Sequence, residues 1–490
     1  MQKQNPEALD LLVVGGGING AGIARDAAGR GLAVLLVEKD DLASATSSSS
    51  SKLIHGGLRY LEQYEFRLVA ESLAEREVLL KVAAPLVWPA RFIMPHVPEL
   101  RPRWMIRTGL FLYDHLARRA SLPGSRAVRL DEPPYNAGLG AHLKHGFLYS
   151  DCRVDDARLV VANALDAQAR GARILTRTAC VSAWREGGAW KAKLSNGEEV
   201  RARVIVNAAG PWVKEVLNQR LGQPSTDKVR LVKGSHIMLP RLYEGEHAFI
   251  LQNDDRRVVF MIPYGDLHTL VGTTDVPCEG EFKQPRADEE EVEYLCRAVS
   301  RYLARPARAE DVVWRYSGVR PLYDDGSDDP SAVTRDYTLR VDDDAGEAPV
   351  LSVFGGKITT YRCLAEHVMQ KLARWFPGMK PAWTAGPPLL GSDFGGATRM
   401  EARDAFFHTH PHIPEYILRG IFRRHGVQAP AVVGDGDLGE EYGAGLTARE
   451  VRWLVDHEWA RSAEDVLWRR TKAGLLMTEA QREKVRNALA

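Results

Sequence analysis

Cysteine is scarce in this chain of 490 residues. The five present, Cys152, Cys180, Cys278, Cys296 and Cys363, are odd in number, far apart and never in a Cys-x-x-Cys pair. That spacing makes a poor disulfide framework and a poor metal site and points to a reducing compartment. The five read as small core residues. Long apolar runs are missing too. No stretch of about 18 apolar residues occurs, so no membrane-spanning helix is expected. Asp10 breaks the first apolar stretch, and what remains is too short for a signal-peptide core. A net charge is also lacking: 65 basic and 64 acidic residues leave +1. Such balance argues against a surface tuned for nucleic acid. There is no internal repeat, and a serine run is the only low-complexity piece.

What is present is ordinary globular composition, 45% hydrophobic and 26% charged, at a length suited to two or three packed domains. The first forty residues predict a βαβ unit: an apolar strand over Leu11–Val14, a glycine turn, a small-residue helix over Asn19–Gly31 and a second strand over Ala33–Val37. Helical spacing follows at Arg67–Ala83 and Asp155–Gly171, then alternating strands from Arg173 to Val206. An antiparallel meander is predicted from Ala248 to Thr273, with turns at Asn253–Arg256 and Pro263–Asp266. Next come a charged helix over Asp288–Leu303 and strands around Thr338–Val341 and Val350–Phe354, flanking an acidic turn at 342–349. A helix over Thr359–Phe376 leads to a Gly/Pro-rich linker, and beyond it the chain reads as wholly helical. Thr447-x-x-Glu450 and Ser462-x-x-Asp465 predict capping boxes there.

Gly15-x-Gly17-x-x-Gly20 opens the first helix. Gly15 permits a tight turn, Gly17 lets the backbone approach a pyrophosphate, and Gly20 lets helix and sheet pack closely, with the helix N-terminus facing the phosphates. Glu38 closes the second strand, where a carboxylate accepts hydrogen bonds from ribose hydroxyls. The unit predicts a bound dinucleotide. The next Rossmann-like strand is delayed until Val204–Asn207 by a serine loop and mixed strands, which favours FAD over NAD. The serine run Thr46–Lys52 reads either as a flexible linker or as a loop wrapping the cofactor. Its apolar and glycine successors, Leu53, Ile54, Gly56 and Gly57, favour the loop.

A second glycine turn, Phe354-Gly355-Gly356-Lys357, joins a strand to a helix. It reads either as a plain turn or as a place where backbone and a helix N-terminus meet a flat ring. In Tyr316-Ser-Gly-Val-Arg320-Pro, Arg320 is a candidate anion clamp. In Lys233-Gly-Ser-His236, His236 is a candidate base or an ordinary structural histidine. Between Arg91 and Arg129 lie eight arginines and two acids, interleaved with Trp104, Met105, Ile106, Leu110 to Leu112 and Tyr113. That composition suits either a helix on anionic lipid or a core helix with solvated arginines.

Taken together, VVGGGINGAGIARDAAGRGL, TSSSSSKLIHGGLRYLEQYEFRLVAESLAEREVLL, SDCRVDDARLV, NAAGPWV, LVKGSHI, LVGTTDV, YSGVRPL, LSVFGGKITTYR and WLVDHEWARSAEDVLWRRTK resemble the aerobic, quinone-linked, FAD-dependent glycerol-3-phosphate dehydrogenases, collinearly over roughly residues 8–475. The resemblance implies an α/β + α fold: a Rossmann-like FAD domain of the D-amino-acid-oxidase type, an antiparallel-sheet substrate-capping domain and an all-helical C-terminal domain. Expected boundaries are 1–383 for the first two, interleaved as 8–90, 150–235 and 350–377 against 91–149 and 236–345. A linker over 384–398 and the helical domain over 399–490 follow.

The implied reaction takes sn-glycerol 3-phosphate to dihydroxyacetone phosphate, with electrons passing through FAD to ubiquinone. The enzyme would be cytoplasmic and bound monotopically to the inner membrane surface, with a homodimer left open and no metal or nucleic acid expected. Carried over residue by residue, the substrate pocket falls on Arg59, Tyr60, His236, Thr274, Asp275, Arg320 and Lys357. Arg59 and Arg320 would hold the phosphate, Lys357 would sit near flavin N5, and His236 or a water it holds would take the hydroxyl proton. Cofactor contacts are expected at Gly15, Gly17, Gly20, Glu38, Thr46, Ser47, Ser51, Leu53, His55, Gly210, Gly355, Gly356 and Thr359. The rivals are a glycerol-phosphate oxidase, an amine or 2-hydroxyacid oxidoreductase of the same fold, and a non-catalytic flavin-binding regulator. Arg59, Arg320 and Lys357 suit a phosphate better than a carboxylate, and the basic residues beside glycine turns argue against the regulator, while the oxidase stays open.

Overall fold

The computed structural model describes residues 9–118, 120–224, 228–255, 257–278, 285–323, 336–343 and 346–489. Arg119 of the basic stretch, Arg256 of one predicted turn, and Asp344 and Ala345 of the acidic turn lie outside the described residues.

Apolar strands buried on both faces pair in parallel to build the first sheet. Its order is Thr338–Asp342, Val350–Phe354, Glu199–Asn207, Leu9–Val14, Val34–Val37, Arg173–Leu175. The first of these is an antiparallel edge; the others run parallel. The helices Ile18–Gly29, Asp156–Ala169 and Tyr361–Leu372 share one apolar core against this sheet. Close packing is possible because Gly22 leaves room for the Tyr361 ring, which a Cβ would meet at 2.7 Å. On the other face the antiparallel strands Cys180–Glu186 and Ala189–Leu194 enclose Trp190, whose indole N–H donates to the Pro349 carbonyl at 2.9 Å.

The second sheet is antiparallel except where Ala248–Gln252 meets Val87–Pro95. Its longest ladder pairs Val229–Pro240 with Trp314–Tyr323, from Val229↔Tyr323 to Met238↔Trp314. The helix Glu289–Ser300 covers one face through Val292, Leu295 and Val299. Phe66–Val82 and Arg103–His115 cover the other through Val69, Leu73, Ile106 and Leu110.

Strand membership moves several expected domain boundaries. Leu53–Ile54, Val87–Pro95 and all of His145–Val154 and Val229–Pro240 belong to the second sheet, whereas Thr338–Asp342 edges the first. Long-range ladders decide which sheet a strand joins, and no local pattern encodes them.

The C-terminal domain packs the helices Arg399–Thr409, Glu415–His425, Ala429–Val433, Ala448–His457 and Glu479–Ala488. A hairpin of Glu441–Gly443 with Leu446–Thr447 departs from an all-helical pattern. Of the two predicted capping boxes, the Ser462–Asp465 pair is reciprocal, the Asp465 N–H donating to Ser462 Oγ and the Ser462 N–H to the Asp465 carboxylate. Thr447 caps Glu450 N–H, but the Glu450 carboxylate turns to Arg424 and His425 instead. The linker stretch 384–398 is largely exposed but anchored to the FAD-binding part at Thr384 and Leu389. Thr384 is buried and accepts from Arg362 at 2.9 Å, and Leu389 N–H donates to the Val82 carbonyl at 2.7 Å.

Candidate active site

A continuous cleft of about 520 Å³ runs from the first glycine turn to the edge of the second sheet. At the end formed by the first glycine turn, Gly20 admits no side chain, because a Cβ would lie 1.9 Å from the Gly15 carbonyl oxygen. Gly15 itself adopts φ +115°, and Gly17 begins the helix. The Glu38 carboxylate accepts from the Gly16 N–H at 2.6 Å and the Asp40 N–H at 2.8 Å. Burial raises its pKa against those two bonds. Each oxygen keeps lone-pair capacity for a ribose hydroxyl.

The serine run is folded, not a tether. Ser47 Oγ accepts from the Ile18 N–H at 3.0 Å at the helix start, and Thr46 Oγ1 donates to the Val319 carbonyl at 2.6 Å. Ser50 donates from Oγ to Asp156 at 2.8 Å, and Ser51 Oγ lies 2.9 Å from His236 Nε2. Thr46, Ser47, Ser51, Leu53, His55 and Gly210 all line the cleft.

The second glycine turn closes the far side. Gly355 and Gly356 adopt φ +77° and +99°. Asn19 Nδ2 donates to the Gly355 carbonyl at 3.2 Å and so ties the two glycine turns together. Asn19 occupies a variable position of the Gly-x-Gly-x-x-Gly pattern, so nothing in that motif singles it out. Thr359 Oγ1 accepts from the His55 N–H at 3.3 Å. Lys357 places its ammonium 4.0 Å from the Tyr60 ring centroid.

Arg59, Tyr60, His236, Asp275, Arg320 and Lys357 all line the same cleft. Arg320 pairs with Asp275 at 2.5 Å and donates to the Thr274 carbonyl at 3.0 Å. Thr274 does not line it. Its hydroxyl is buried, accepting from the Ser235 N–H and donating to Glu291, so it acts behind Arg320 rather than in the pocket. Gly20 likewise lies beneath the turn, not on the cleft wall.

His236 is buried and stacks on Tyr316, with ring centroids 4.9 Å apart and planes 10° from parallel. Burial, then the cations Lys52 and Arg320, push its pKa down to about 3, so it stands neutral at pH 7. Motif reading missed Lys52, Asp156 and Tyr316, which surround this histidine; their contacts come from distant strands and helices.

The described residues contain no helix long and apolar enough to cross a membrane. The family described as "FAD dependent oxidoreductase" matches residues 10–362, and the "C-terminal domain of alpha-glycerophosphate oxidase" matches 382–490. The chain is 50% identical to the aerobic glycerol-3-phosphate dehydrogenase of Escherichia coli K12, over 98% of this chain and 97% of that one. It is 51% identical to D-erythritol 1-phosphate dehydrogenase of Brucella abortus, over 97% of each chain. Among solved structures it resembles the glycerol-3-phosphate dehydrogenase of Bacillus halodurans complexed with FAD, with 26% identity, TM-score 0.74, and 99% and 94% of the two chains covered.

The cleft fits that cofactor. A Cβ at Gly15 or Gly20 would fill the space against backbone, and the helix start beyond Gly17 supplies the positive end that a pyrophosphate needs. The cofactor is therefore FAD, and the chain belongs to the FAD-dependent glycerol-3-phosphate dehydrogenase family.

Proposed function

We propose that the protein oxidises sn-glycerol 3-phosphate to dihydroxyacetone phosphate, bound FAD accepting the C2 hydride and returning two electrons to ubiquinone. The observation that carries this reading is the convergence of Arg59, Arg320, Lys357 and His236 on one cleft with the glycine cradle. Arg320 and Arg59 hold the phosphate dianion, since a guanidinium matches its oxygens with paired donors. Asp275 keeps Arg320 oriented, and the buried Thr274 supports it from behind. Lys357 stabilises negative charge at the substrate C2 oxygen, and Tyr60 holds that ammonium in place.

Neutral His236 takes the hydroxyl proton. Burial first, then Lys52 and Arg320, oppose its protonation, and a phosphate dianion beside Arg320 offsets the cationic part of that opposition. The cofactor roles of Gly15, Gly17, Gly20, Glu38, Thr46, Ser47, Ser51, Leu53, His55, Gly210, Gly355, Gly356 and Thr359 belong to the same proposal.

The work site is the cytoplasmic face of the inner membrane. Arg103–His115 buries Ile106, Leu110 and Tyr113 and exposes Trp104 (68%) and Phe111 (54%) beside Met105 and Leu112. An apolar face with Arg103 and Arg107 at its flank suits a surface of anionic lipid.

One anaerobic titration tests the reaction. Glycerol 3-phosphate added to purified holoenzyme bleaches the oxidised-flavin band, and a quinone analogue restores it quickly while air does so slowly. No bleaching sinks the reading, and fast recovery in air replaces the dehydrogenase with an oxidase. A second reading, a tetritol phosphate as the preferred substrate, is favoured by the 51% identity to the D-erythritol 1-phosphate enzyme. Comparing kcat/KM for the two substrates decides between them.

A further inference from the structure

Two chains of contact lead from the C-terminal domain to His236. The first is ionic. Lys472, buried and with φ +61°, approaches Asp155 at 3.4 Å and Asp156 at 3.7 Å. The other oxygen of Asp156 receives Lys52 Nζ at 2.8 Å, Ser50 Oγ at 2.8 Å and the Ser50 N–H at 3.3 Å. Lys52, with φ +57°, also donates to the Ser48 carbonyl at 2.9 Å. Between Ser50 and Lys52 stands Ser51, whose hydroxyl meets His236 at 2.9 Å.

The second chain is aromatic. Trp468 stacks on Trp314 at 5.1 Å, Trp314 leans on Tyr316 at 4.9 Å, and Tyr316 stacks on His236 at 4.9 Å. The Tyr316 hydroxyl donates to the Ser50 carbonyl at 2.8 Å, which joins the two chains at the loop.

We propose that Lys472, from the C-terminal domain, is a positioning residue for His236, acting through Asp156 and the loop Thr46–Lys52. Two buried cations, Lys52 and Lys472, balance two carboxylates, Asp155 and Asp156. Asp156 can then hold Ser50 and Lys52 at once without leaving excess charge in a low-dielectric site. Removing the Lys472 charge loosens the loop and leaves one uncompensated negative charge near the imidazole. The charged groups that face His236 are Lys52, Arg320 and Asp156, and its uncharged neighbours are Ser51 and Tyr316. With Lys472 gone their balance tips toward the protonated ring.

The proposal rests on His236 as the proton acceptor put forward above. The test uses FAD-loaded Lys472→Met, Lys472→Arg and Trp468→Leu. For Lys472→Met, kcat is expected to fall about fivefold or more with KM within about twofold. The acidic limb of the kcat–pH profile should move to higher pH, because a more easily protonated base is lost earlier as pH falls. Amide exchange over 46–52 should quicken several-fold while the first sheet stays unchanged, and Lys472→Arg should restore all three readouts.

An unmoved profile with unchanged loop exchange overturns the proposal, and so does a general loss that arginine does not restore. Should Lys472→Met fail to fold, half-buried Trp468→Leu is read by the same two measures. It is expected to shift both in the same direction but less, and no shift overturns the proposal. If the wild-type protein turns over no polyol phosphate, the reading of the reaction fails, while loop exchange in Lys472→Met still decides the role of Lys472.

Discussion

The cleft and the seam between the C-terminal domain and the FAD domain use the same side chains to opposite ends. At the seam Arg158, Arg424 and Arg470 are each buried against an acid. Arg158 meets Glu458, Arg424 meets Glu450 at 2.6 Å, and Arg470, fully buried, meets Asp41 at 2.8 Å. His425 lies within 3.0 Å of Glu450 and 3.3 Å of Glu458. In the cleft, Arg59, Arg320 and Lys357 share the walls with Asp275, and Arg320 and Asp275 stay partly exposed. A neutralised, buried network holds two bodies together. A partly exposed set on a cleft wall stays within reach of a ligand. Burial, not residue type, separates a joint from a binding site.

Breaking one partner on each side sharpens the contrast. Glu458→Gln leaves Arg158 buried without its carboxylate, and about 3–5 kcal/mol of stability should be lost in denaturant unfolding. A loss near that of a surface pair would make the seam ornamental. Arg320→Ala should leave stability and FAD binding nearly intact while raising KM by about 10- to 150-fold, the value of a charge-assisted contact. Loss of FAD instead would place Arg320 at the cofactor.

Acid should separate the regions as well. Burial alone would raise the Glu450 pKa, but Arg424 and His425 overcome it and hold it at about 2, below the ordinary 4.5. Arg158 and His425 hold Glu458 lower still against the same burial. Depressed carboxylates stabilise the fold fully above the unfolded pKa and lose that contribution as pH falls through the folded one. Domain stability should therefore hold down to about pH 4.5 and decline from there toward 2, followed by unfolding at a series of pH values. A seam equally stable throughout that window would refute the pairing.

The smallest effect is expected at the surface. Liposome binding should weaken with salt and by about 1 kcal/mol for each charge removed at Arg103 and Arg107. Unchanged binding would move the membrane contact away from this helix.

Much of the site was legible. The βαβ unit, both glycine turns and the helices fell within a few residues of their predicted spans, because these are local patterns of glycine, apolar period and acid. The family resemblance places both Thr274 and Asp275, neighbours in the motif Gly-Thr-Thr-Asp, in the pocket. In the folded sheet their side chains part, one to the cleft and one to buried Glu291. The capping boxes at Asp288, Thr398 and Thr478 went unremarked although each carries the Asp/Thr-x-x-Glu/Gln signature.

By itself the sequence determined the first glycine turn, since glycine at positions 15 and 20 answers a steric demand that no other residue meets. It also determined the family, through long collinear motifs. Only the tertiary structure decided that the serine run is pinned to Asp156 and that strands on both sides of the expected boundaries join one sheet. It alone brought Lys472 to Asp156, more than 300 residues earlier in the chain, which in turn holds the serine loop. Such pairings depend on where the whole chain brings charges and ladders together, and no local window of residues contains that information.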